Sequence, residues 1–363
     1  MRNLHIDASR LRSGGGIVHL IKLLEYSDYS DYERIIVYTY NNSSFINYVN
    51  DKIIIKTHSF INKSIFYQIL WQSCILKREI SKDDVLFTID STSFCYCPNN
   101  VVLNQDIIGF QENSFKHFTL KNKILSYVKY VVAKVALKKA KTRIFTTQFA
   151  ADEVTKKIPG IGNSFVVPHG IDDVGIVRKN SYATEDGLLK LIYVSPILDY
   201  KNHSNLVKAI EKLCTNDQKI ITYFVGGGDQ QLIEEIKKTS SYIRNAEFHF
   251  INFIDREAVF RLTASCDIAV FLSSIECFGI TLLEYMRIGM PIICSNASSM
   301  PETFEDGGVL VNPLDENAIA SAISYLNENS DYRAKYGAAA RKISEKYSWQ
   351  ATAKNTFDIL NAQ

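Results

Sequence analysis

Short apolar runs rich in β-branched and aromatic residues alternate with segments of helical periodicity over nearly the whole chain. LHIDA (4–8) has the composition of a strand, and it is followed by a glycine turn at 14–16 and a helical pattern over 17–24. The next strand candidates are RIIVYTY (34–40), DVLFTID (84–90), NVVLNQD (100–106), TRIFTT (142–147) and SFVVPHG (164–170). Strands this apolar, separated by helices, predict a parallel sheet covered on both faces.

The same alternation restarts in the second half of the chain. Its strand candidates are LKLIYVS (189–195), KIITYFVG (219–226), AEFHFINF (246–253), IAVFLS (268–273), MPIICS (290–295) and GVLVNP (308–313). A chain of 363 residues also exceeds what one hydrophobic core usually serves. We therefore expect an α/β protein of two Rossmann-like doubly wound domains facing across a cleft, divided near the charged stretch 172–187, with ligands bound beyond the carboxyl ends of the strands.

Composition excludes several classes of protein. The formal net charge of +2 gives no indication of a nucleic-acid partner. The seven cysteines are scattered, as expected for structural thiols in a reducing cytoplasm, and no His/Cys cluster or Asp-x-Asp pair predicts a metal site. The N-terminus lacks a signal-peptide core, and no run reaches the roughly 20 apolar residues of a membrane span. We expect a cytoplasmic protein that needs no metal or other cofactor.

The segment IECFGITLLEYMRIGMPIICS (275–295) has the strongest chemical pattern. Glu276 follows a predicted strand, Phe278-Gly279 begins a helix, and Glu284 lies on the second turn of that helix. Backbone N–H groups and the positive end of the helix dipole suit a diphosphate. Glu284 would then lie roughly 7–8 Å further along the helix, where its carboxylate would accept hydrogen bonds from two ribose hydroxyls. The alternative is that both glutamates are solvated surface charges.

This segment resembles the signature of glycosyltransferase family 4, which comprises retaining enzymes with the GT-B fold. Four other segments resemble that family in the same order: 6–24, 166–172, 193–210 and 299–303. The resemblance implies an N-terminal acceptor-binding domain over 1–170 and a nucleotide-sugar-binding domain over 171–346. It also implies that the C-terminal helix, about 347–363, crosses back to the first domain.

The resemblance assigns donor-binding roles to residues at matching positions. Lys201 would neutralise the donor diphosphate, Glu284 would bind the ribose, and Glu276 would hold the transferred sugar. Further residues on the donor side would be Phe278, Gly279, Ile280, Gly15, Gly16, Ser195 and, for the base, Asn252. For the N-terminal glycines, a tight strand-to-helix turn is an equally good explanation.

Two positions depart from the family pattern. Ser195 stands where many relatives carry an arginine, so Lys201 alone or another cation such as Arg10 or Arg12 would balance the phosphates. Gln105 stands where relatives have a histidine, which leaves hydrogen bonding instead of proton transfer. Asp106 is then a weaker catalytic candidate on the acceptor side, and His169 is expected to be a structural hinge residue.

Residues 115–143 form a strongly basic segment that the near-neutral total conceals. It contains nine Lys/Arg and no Asp or Glu, with apolar residues interleaved at helical spacing. Such a helix can lie on an anionic membrane, and a core-packing helix with a solvated basic face or a nucleic-acid contact are the alternatives. Because the family often uses lipid-linked acceptors, we expect contact with the inner face of the plasma membrane.

The sequence therefore predicts a retaining, metal-independent glycosyltransferase that takes its sugar from a UDP- or GDP-linked donor. Family analogy suggests a glycan acceptor on a lipid carrier, in bacterial O-antigen or capsule synthesis. The alternatives are an inverting glycosyltransferase, a GT-B sugar-nucleotide epimerase, and a non-catalytic sugar-nucleotide-binding partner subunit.

Overall fold

The computed structural model describes residues 2–12, 14–41, 50–178, 188–214 and 219–363. The chain divides into two compact units, the first comprising Met1–Gly170 with Ser348–Gln363 and the second Ile171–Tyr347. Of the expected dividing stretch 172–187, residues 179–187 lie outside the described part. No helix among the described residues is long and apolar enough to cross a membrane.

The first unit contains a seven-stranded parallel sheet. Its strands are β1 (Arg2–Asp7), β2 (Tyr32–Tyr38), β3 (Ile53–Lys56), β4 (Val85–Thr88), β5 (Asn100–Asn104), β6 (Thr142–Phe145) and β7 (Ser164–Val166). They lie in the order β3-β2-β1-β4-β5-β6-β7. The order reverses between β1 and β4, and this switch point is where α/β sheets bind ligands.

Helices cover both faces of this sheet. They are α1 (Gly15–Tyr26), α2 (Ile65–Leu70), α3 (Lys77–Glu79), α4 (Leu120–Lys139), α5 (Gln148–Lys157) and the C-terminal α13 (Trp349–Asn361), with a π-helical stretch (Trp71–Leu76) between α2 and α3. Leu20 of α1 and Phe357 of α13 join one core with Ile6 and Phe87 of the sheet. Trp71 belongs to a separate core with Tyr38 and Leu86.

Strand β3 is the element that the sequence pattern missed. It has only four residues, Ile53–Lys56, and lies at the sheet edge directly after Asp51-Lys52. Its apolar run is limited to three isoleucines flanked by charged residues, and edge strands are often short and charged. The predicted strand SFVVPHG is longer than the observed β7, which ends at Val166. Pro168 has no backbone N–H for the hydrogen bonds between strands, so the sheet does not continue through it.

The second unit repeats the plan with six parallel strands. They are β8 (Leu188–Val194), β9 (Lys219–Val225), β10 (Ala246–Ile251), β11 (Ile268–Phe271), β12 (Ile292–Ser295) and β13 (Val309–Val311), in the order β10-β9-β8-β11-β12-β13. Its helices are α6 (His203–Leu213), α7 (Gln230–Ser240), α8 (Arg256–Ala264), α9 (Ile280–Ile288), α10 (Met300–Phe304), α11 (Glu316–Glu328) and α12 (Ser330–Ser344). Two parallel α/β domains are confirmed, and in this unit β8 and β11 flank the switch point.

Candidate functional site

The predicted donor-side residues of the second unit follow the two strands at its switch point. Ser195 comes directly after β8, and Lys201 ends the short 3₁₀ turn beyond it. Glu276 lies in the loop after β11, and the N-terminus of α9 follows at Ile280. The chain thus places a cation, a carboxylate and a helix N-terminus at the edge of the sheet where Rossmann-like domains bind ligands.

Lys201 and Glu276, 75 residues apart in sequence, form an ion pair between the ammonium Nζ and the carboxylate Oε1. Both side chains are largely buried. The Lys201 ammonium also lies 5.5 Å from the centre of the Phe271 ring, and the Lys201 carbonyl accepts a hydrogen bond of 2.7 Å from Tyr193 Oη. A buried pair of this kind holds a positive and a negative group side by side with little freedom to move.

The backbone of Glu276 is fixed by two serines from the loop before α10. Ser298 Oγ accepts from the Glu276 N–H at 2.9 Å and donates to the Glu276 carbonyl at 2.8 Å. Ser299 Oγ donates to the same carbonyl at 2.9 Å. These bonds orient the loop before any ligand arrives, which is the arrangement that a precise binding site requires.

Helix α9 begins with a left-handed glycine. Gly279 has a φ of 88°, and a Cβ there would lie 3.0 Å from Met300 Cε. Phe278 is buried, and its ring packs edge-on against Tyr347 at 5.5 Å. No side chain caps this helix. Its first backbone N–H groups, from Ile280 onward, and the positive end of its dipole can therefore bind an anion.

Glu284 lies on the second turn of α9, as predicted, and contacts Arg256 at the start of α8. Arg256 donates to Glu284 Oε1 from Nε at 3.1 Å and from Nη2 at 2.9 Å. The third guanidinium nitrogen, Nη1, lies 3.5 Å from Asp172 Oδ2. Burial raises the pKa of Glu284, while Arg256 opposes that shift. Arg256 thereby favours the ionised carboxylate in a poorly solvated place.

Ser195 offers a hydroxyl where relatives carry an arginine. Its Oγ donates to the Pro196 carbonyl at 3.2 Å and lies 3.4 Å from His203 Nε2. His203 stacks on Tyr193 at 4.3 Å, and burial, followed by the Lys201 charge, lowers the pKa of His203 to about 3. His203 is therefore neutral, and it does not supply the cation that Ser195 lacks.

Asn252 follows β10 and is exposed, next to the exposed Phe253. The Phe253 ring approaches Gly227, where a Cβ would lie 3.2 Å from it. The glycine turn that follows β9, at 226–228, has a structural role, because a Cβ at Gly228 would lie 2.2 Å from the Ile197 carbonyl oxygen. A side chain there would clash with the backbone, which accounts for glycine at that position.

Five predicted residues lie in the first unit, and four of them are near the carboxyl ends of its strands or at the start of α1. Gly15 and Gly16 begin α1, and a Cβ at Gly16 would lie 2.9 Å from Leu11 and 3.8 Å from Gln105 Nε2. Gln105 donates to the Ile89 carbonyl at 3.0 Å. Much of the Asp106 residue is exposed, but burial of its carboxyl group in a concave pocket raises its pKa.

His169 is buried in the first unit, near the boundary between the units. Its Nδ1 lies 2.8 Å from His19 Nδ1, and both rings pack near Trp349. Burial lowers the pKa of His169 to about 3 and that of His19 well below its usual value. A neutral, enclosed pair fits a structural role better than that of a base, and the hinge assignment stays a prediction.

Sequence reasoning missed the residues that organise the site. They are Arg256, Ser298, Ser299, Tyr193, and Asn202, whose amide donates to the Leu272 carbonyl and the Ser274 hydroxyl at 2.7 Å each. Asp255 caps α8 and so marks its start, but nothing in the local sequence indicates that Arg256 contacts Glu284, 28 residues away. Within the described part of the chain, no group of three or more His, Cys, Asp or Glu is arranged to hold a metal ion.

Part of the chain is similar in sequence to known glycosyltransferases. Residues 178–343 match the profile of "Glycosyl transferases group 1". The chain is 25% identical over 171 residues to O-antigen chain mannosyltransferase B of Escherichia coli, covering 46% of this chain and 44% of that protein. It is 26% identical over 220 residues to glycogen synthase of Mycobacterium tuberculosis, covering 58% and 51%. The chain thus spans about half the length of these curated relatives.

Solved structures resemble the whole chain. Anabaena Alr3699/HepE, solved in complex with UDP, superposes with a TM-score of 0.73 at 16% identity over 100% of both chains. Sucrose-phosphate synthase from Thermosynechococcus elongatus gives a TM-score of 0.77 at 16% identity, covering 99% of this chain and 98% of that one. These likenesses confirm the two-domain GT-B fold. Together with the profile match, the curated relatives support a glycosyltransferase.

Proposed function

We propose that this chain is a glycosyltransferase that moves a sugar from a nucleoside diphosphate donor to a glycan acceptor. The observation that carries the proposal is the Lys201–Glu276 ion pair at the switch point of the second unit, beside the N-terminus of α9. A donor presents a diphosphate next to a polyhydroxylated ring, and this pair offers an ammonium for the first and a carboxylate for the second.

The donor replaces the contact that Lys201 and Glu276 make with each other. The ammonium and the first N–H groups of α9 bind the diphosphate and stabilise the charge that develops on it as the glycosidic bond breaks. The Glu276 carboxylate accepts from the sugar hydroxyls. Because the Glu276 backbone is fixed by Ser298 and Ser299, only its side chain has to move from Lys201 to the sugar.

Glu284 is proposed to bind the ribose hydroxyls of the nucleotide. Burial raises the pKa of this carboxyl group, and the Arg256 guanidinium beside it opposes that shift and favours the ionised form. We further propose that transfer retains the anomeric configuration and needs no metal: the acceptor attacks on the face from which the diphosphate leaves, and a departing phosphate oxygen takes the acceptor proton. We propose a UDP- or GDP-linked donor, and UDP is bound in the structurally similar HepE.

The acceptor side is proposed to lie in the first unit, with Asp106 and Gln105 near it. The O-antigen mannosyltransferase among the relatives favours a surface glycan on a lipid carrier as the acceptor. We propose that the basic segment 115–143 holds the protein on the cytoplasmic face of the membrane, where such carriers are extended.

The direct test is Glu276→Gln, assayed against a panel of UDP- and GDP-sugars by donor turnover and by calorimetric binding of UDP and GDP. We expect kcat to fall by roughly a hundredfold or more, as for other transition-state contacts, with nucleotide affinity nearly unchanged. The matched control is Glu305→Gln, which breaks a surface ion pair with Lys346 in the same unit and leaves turnover intact.

Near-wild-type turnover by the Glu276→Gln protein would remove this residue from the proposed mechanism. Tight nucleotide binding by the wild-type chain without turnover of any donor would instead favour the non-catalytic partner subunit. Where a donor is turned over, analysis of the product anomer separates retention from inversion.

A further inference from the structure

Helix α4 has two apolar faces on opposite sides of its axis. Ala133 and Leu137 are buried against the first unit, with Ser126 and Tyr130 partly buried on the same side. At 100° per residue the opposite side carries an exposed stripe. This stripe consists of Leu120, Ile124, Val128, Val131 and Val135, whose side chains are between 39% and 77% exposed. An apolar stripe of this length on a surface marks an interaction site.

Lysines flank the stripe on both sides. Lys123 and Lys134 lie along one flank and Lys139 along the other, and the sequence from 115 to 143 contains no carboxylate to neutralise them. Long lysine side chains beside an apolar stripe place their charges at headgroup level while the stripe enters the acyl region. A second copy of this chain fits less well, because pairing two stripes would bring the flanking lysines of both helices together.

A second exposed apolar group supports the same surface. Ile65, Phe66, Tyr67 and Leu70 of α2 are all exposed, and Phe66 is 62% exposed. Helices α2 and α4 follow β3 and β5, and both connections run toward β7 along the sheet. Right-handed crossovers place such helices on the same face of a parallel sheet. One face of the first unit therefore presents both apolar helices.

The inner side of α4 borders a pocket of the first unit. The cavity itself measures about 50 Å³, within a concavity of about 380 Å³ that opens to solvent. It is lined by α4 and by the segments after β4 and β5, including Ser91, Thr92, Asp106, Ser126, Lys129 and Tyr130. The Tyr130 ring packs on Phe110 at 5.0 Å, and Gly109 permits this approach because a Cβ there would lie 2.7 Å from Tyr130.

The chemistry of this pocket suits a neutral sugar. The lining contains one carboxylate, Asp106, and one ammonium, Lys129, and Asp90 lies close enough to raise the pKa of Asp106 beyond the effect of burial, so the pocket has no excess of positive charge. The serine, threonine and tyrosine hydroxyls both donate and accept hydrogen bonds. An aromatic ring adds an apolar surface for the C–H face of a pyranose. A phosphate would find a single cation there and a carboxylate beside it, which disfavours an anion.

We propose that α4 joins two sites: its outer stripe inserts into an anionic bilayer, and its inner side holds the terminal sugar of the acceptor in the pocket of Asp106 and Tyr130. A helix is about 10 Å across, so a lipid-anchored glycan can reach from the bilayer to the pocket around one element. The proposal rests on the proposed function, since the bound sugar is the acceptor of that transfer.

The bilayer contact is tested with Ile124→Glu in the full chain, by co-sedimentation with phosphatidylglycerol–phosphatidylcholine vesicles. The control is Asn122→Glu, an equal charge change at an exposed position about 200° around the same helix. We expect Ile124→Glu to weaken binding on the order of tenfold or more and Asn122→Glu only slightly. Equal losses in both variants, no requirement for phosphatidylglycerol, or a dimer that Ile124→Glu dissociates would overturn the bilayer assignment.

The pocket is tested by saturation-transfer NMR with methyl glycosides of mannose, glucose, galactose and N-acetylglucosamine. Ser126→Leu fills the pocket, whereas Ser126→Ala leaves its space open. We expect at least one glycoside to receive saturation in the wild type and in Ser126→Ala, and to lose most of it in Ser126→Leu. No transfer to any glycoside, or transfer unchanged in Ser126→Leu, would overturn the pocket assignment.

The two variants also control each other's fold. Ser126→Leu should keep vesicle binding, and Ile124→Glu should keep glycoside binding. Neither measurement involves a nucleotide or turnover, so failure here is distinct from failure of the donor chemistry tested with Glu276→Gln.

Discussion

The carboxylate of Glu284 is largely buried, which is unfavourable for a charged group. Burial raises its pKa, so its ionised form destabilises the native state at neutral pH, and this destabilisation disappears as the pH falls through the native pKa. For Glu284→Gln we expect a free energy of unfolding equal to or above that of the wild type at pH 7, with the difference closing on acidification. UDP or GDP affinity should fall roughly tenfold or more, because charged hydrogen bonds contribute about 1.5–3 kcal/mol each.

Glu316 provides a control of opposite sign. Lys208 and Lys212 lower its pKa, so its ionised form stabilises the native state at neutral pH and loses that effect as the pH falls through the native pKa. Glu316→Gln should be slightly less stable at pH 7 and bind nucleotide normally. Chemical unfolding between pH 4 and 7 measures both trends, and a Glu284→Gln protein that is destabilised at neutral pH would contradict the assignment.

At the scale of an element, α9 has a glycine in the left-handed region at each end. Gly279 has a φ of 88° and Gly289 a φ of 82°. An alanine in this region costs about 1–2 kcal/mol, so both Gly279→Ala and Gly289→Ala should lower the free energy of unfolding by similar amounts. Only Gly279 lies at the proposed diphosphate end, where Ala also presses on Met300.

The two glycine substitutions should differ in their effect on nucleotide affinity. We expect Gly279→Ala to reduce UDP or GDP affinity by roughly tenfold, because it displaces the first N–H groups of the helix. Gly289→Ala should leave the affinity unchanged at temperatures where the protein stays folded. Equal affinities for the two variants would place the diphosphate away from this helix end.

At the scale of the whole molecule, the two units have separate hydrophobic cores. Phe357 of α13 is buried with the strands of the first unit, and Ile323 of α11 is buried in the core of the second. Truncation of a buried residue of this size costs about 2–5 kcal/mol. Phe357→Ala should therefore destabilise the first unit and Ile323→Ala the second.

Hydrogen exchange with mass spectrometry resolves these effects by segment. In Phe357→Ala we expect faster exchange in β1, β4 and α1 with little change in β8 and β11, and the reverse in Ile323→Ala. A uniform increase over both units in either variant would mean that the chain unfolds as one cooperative body.

Much of the fold and the donor side of the site were predictable because they depend on local pattern. Apolar runs in the sequence predicted most of the strands. The segment around Glu276 and Glu284 contains its own strand, loop and helix. Strand β3 escaped because its four residues lie at a charged sheet edge. The roles of these residues stay predictions until they are tested.

The sequence by itself determined the alternation of strands and helices apart from β3, the parallel character of both sheets and the carboxylates that follow β11, because each follows from neighbours along the chain. Only the tertiary structure decided that Lys201 pairs with Glu276, that Arg256 reaches Glu284 and that Ser298 fixes the loop. It also decided which side of α4 faces solvent, since periodicity marks a helix as apolar without saying which face is covered. Packing between distant segments makes that choice.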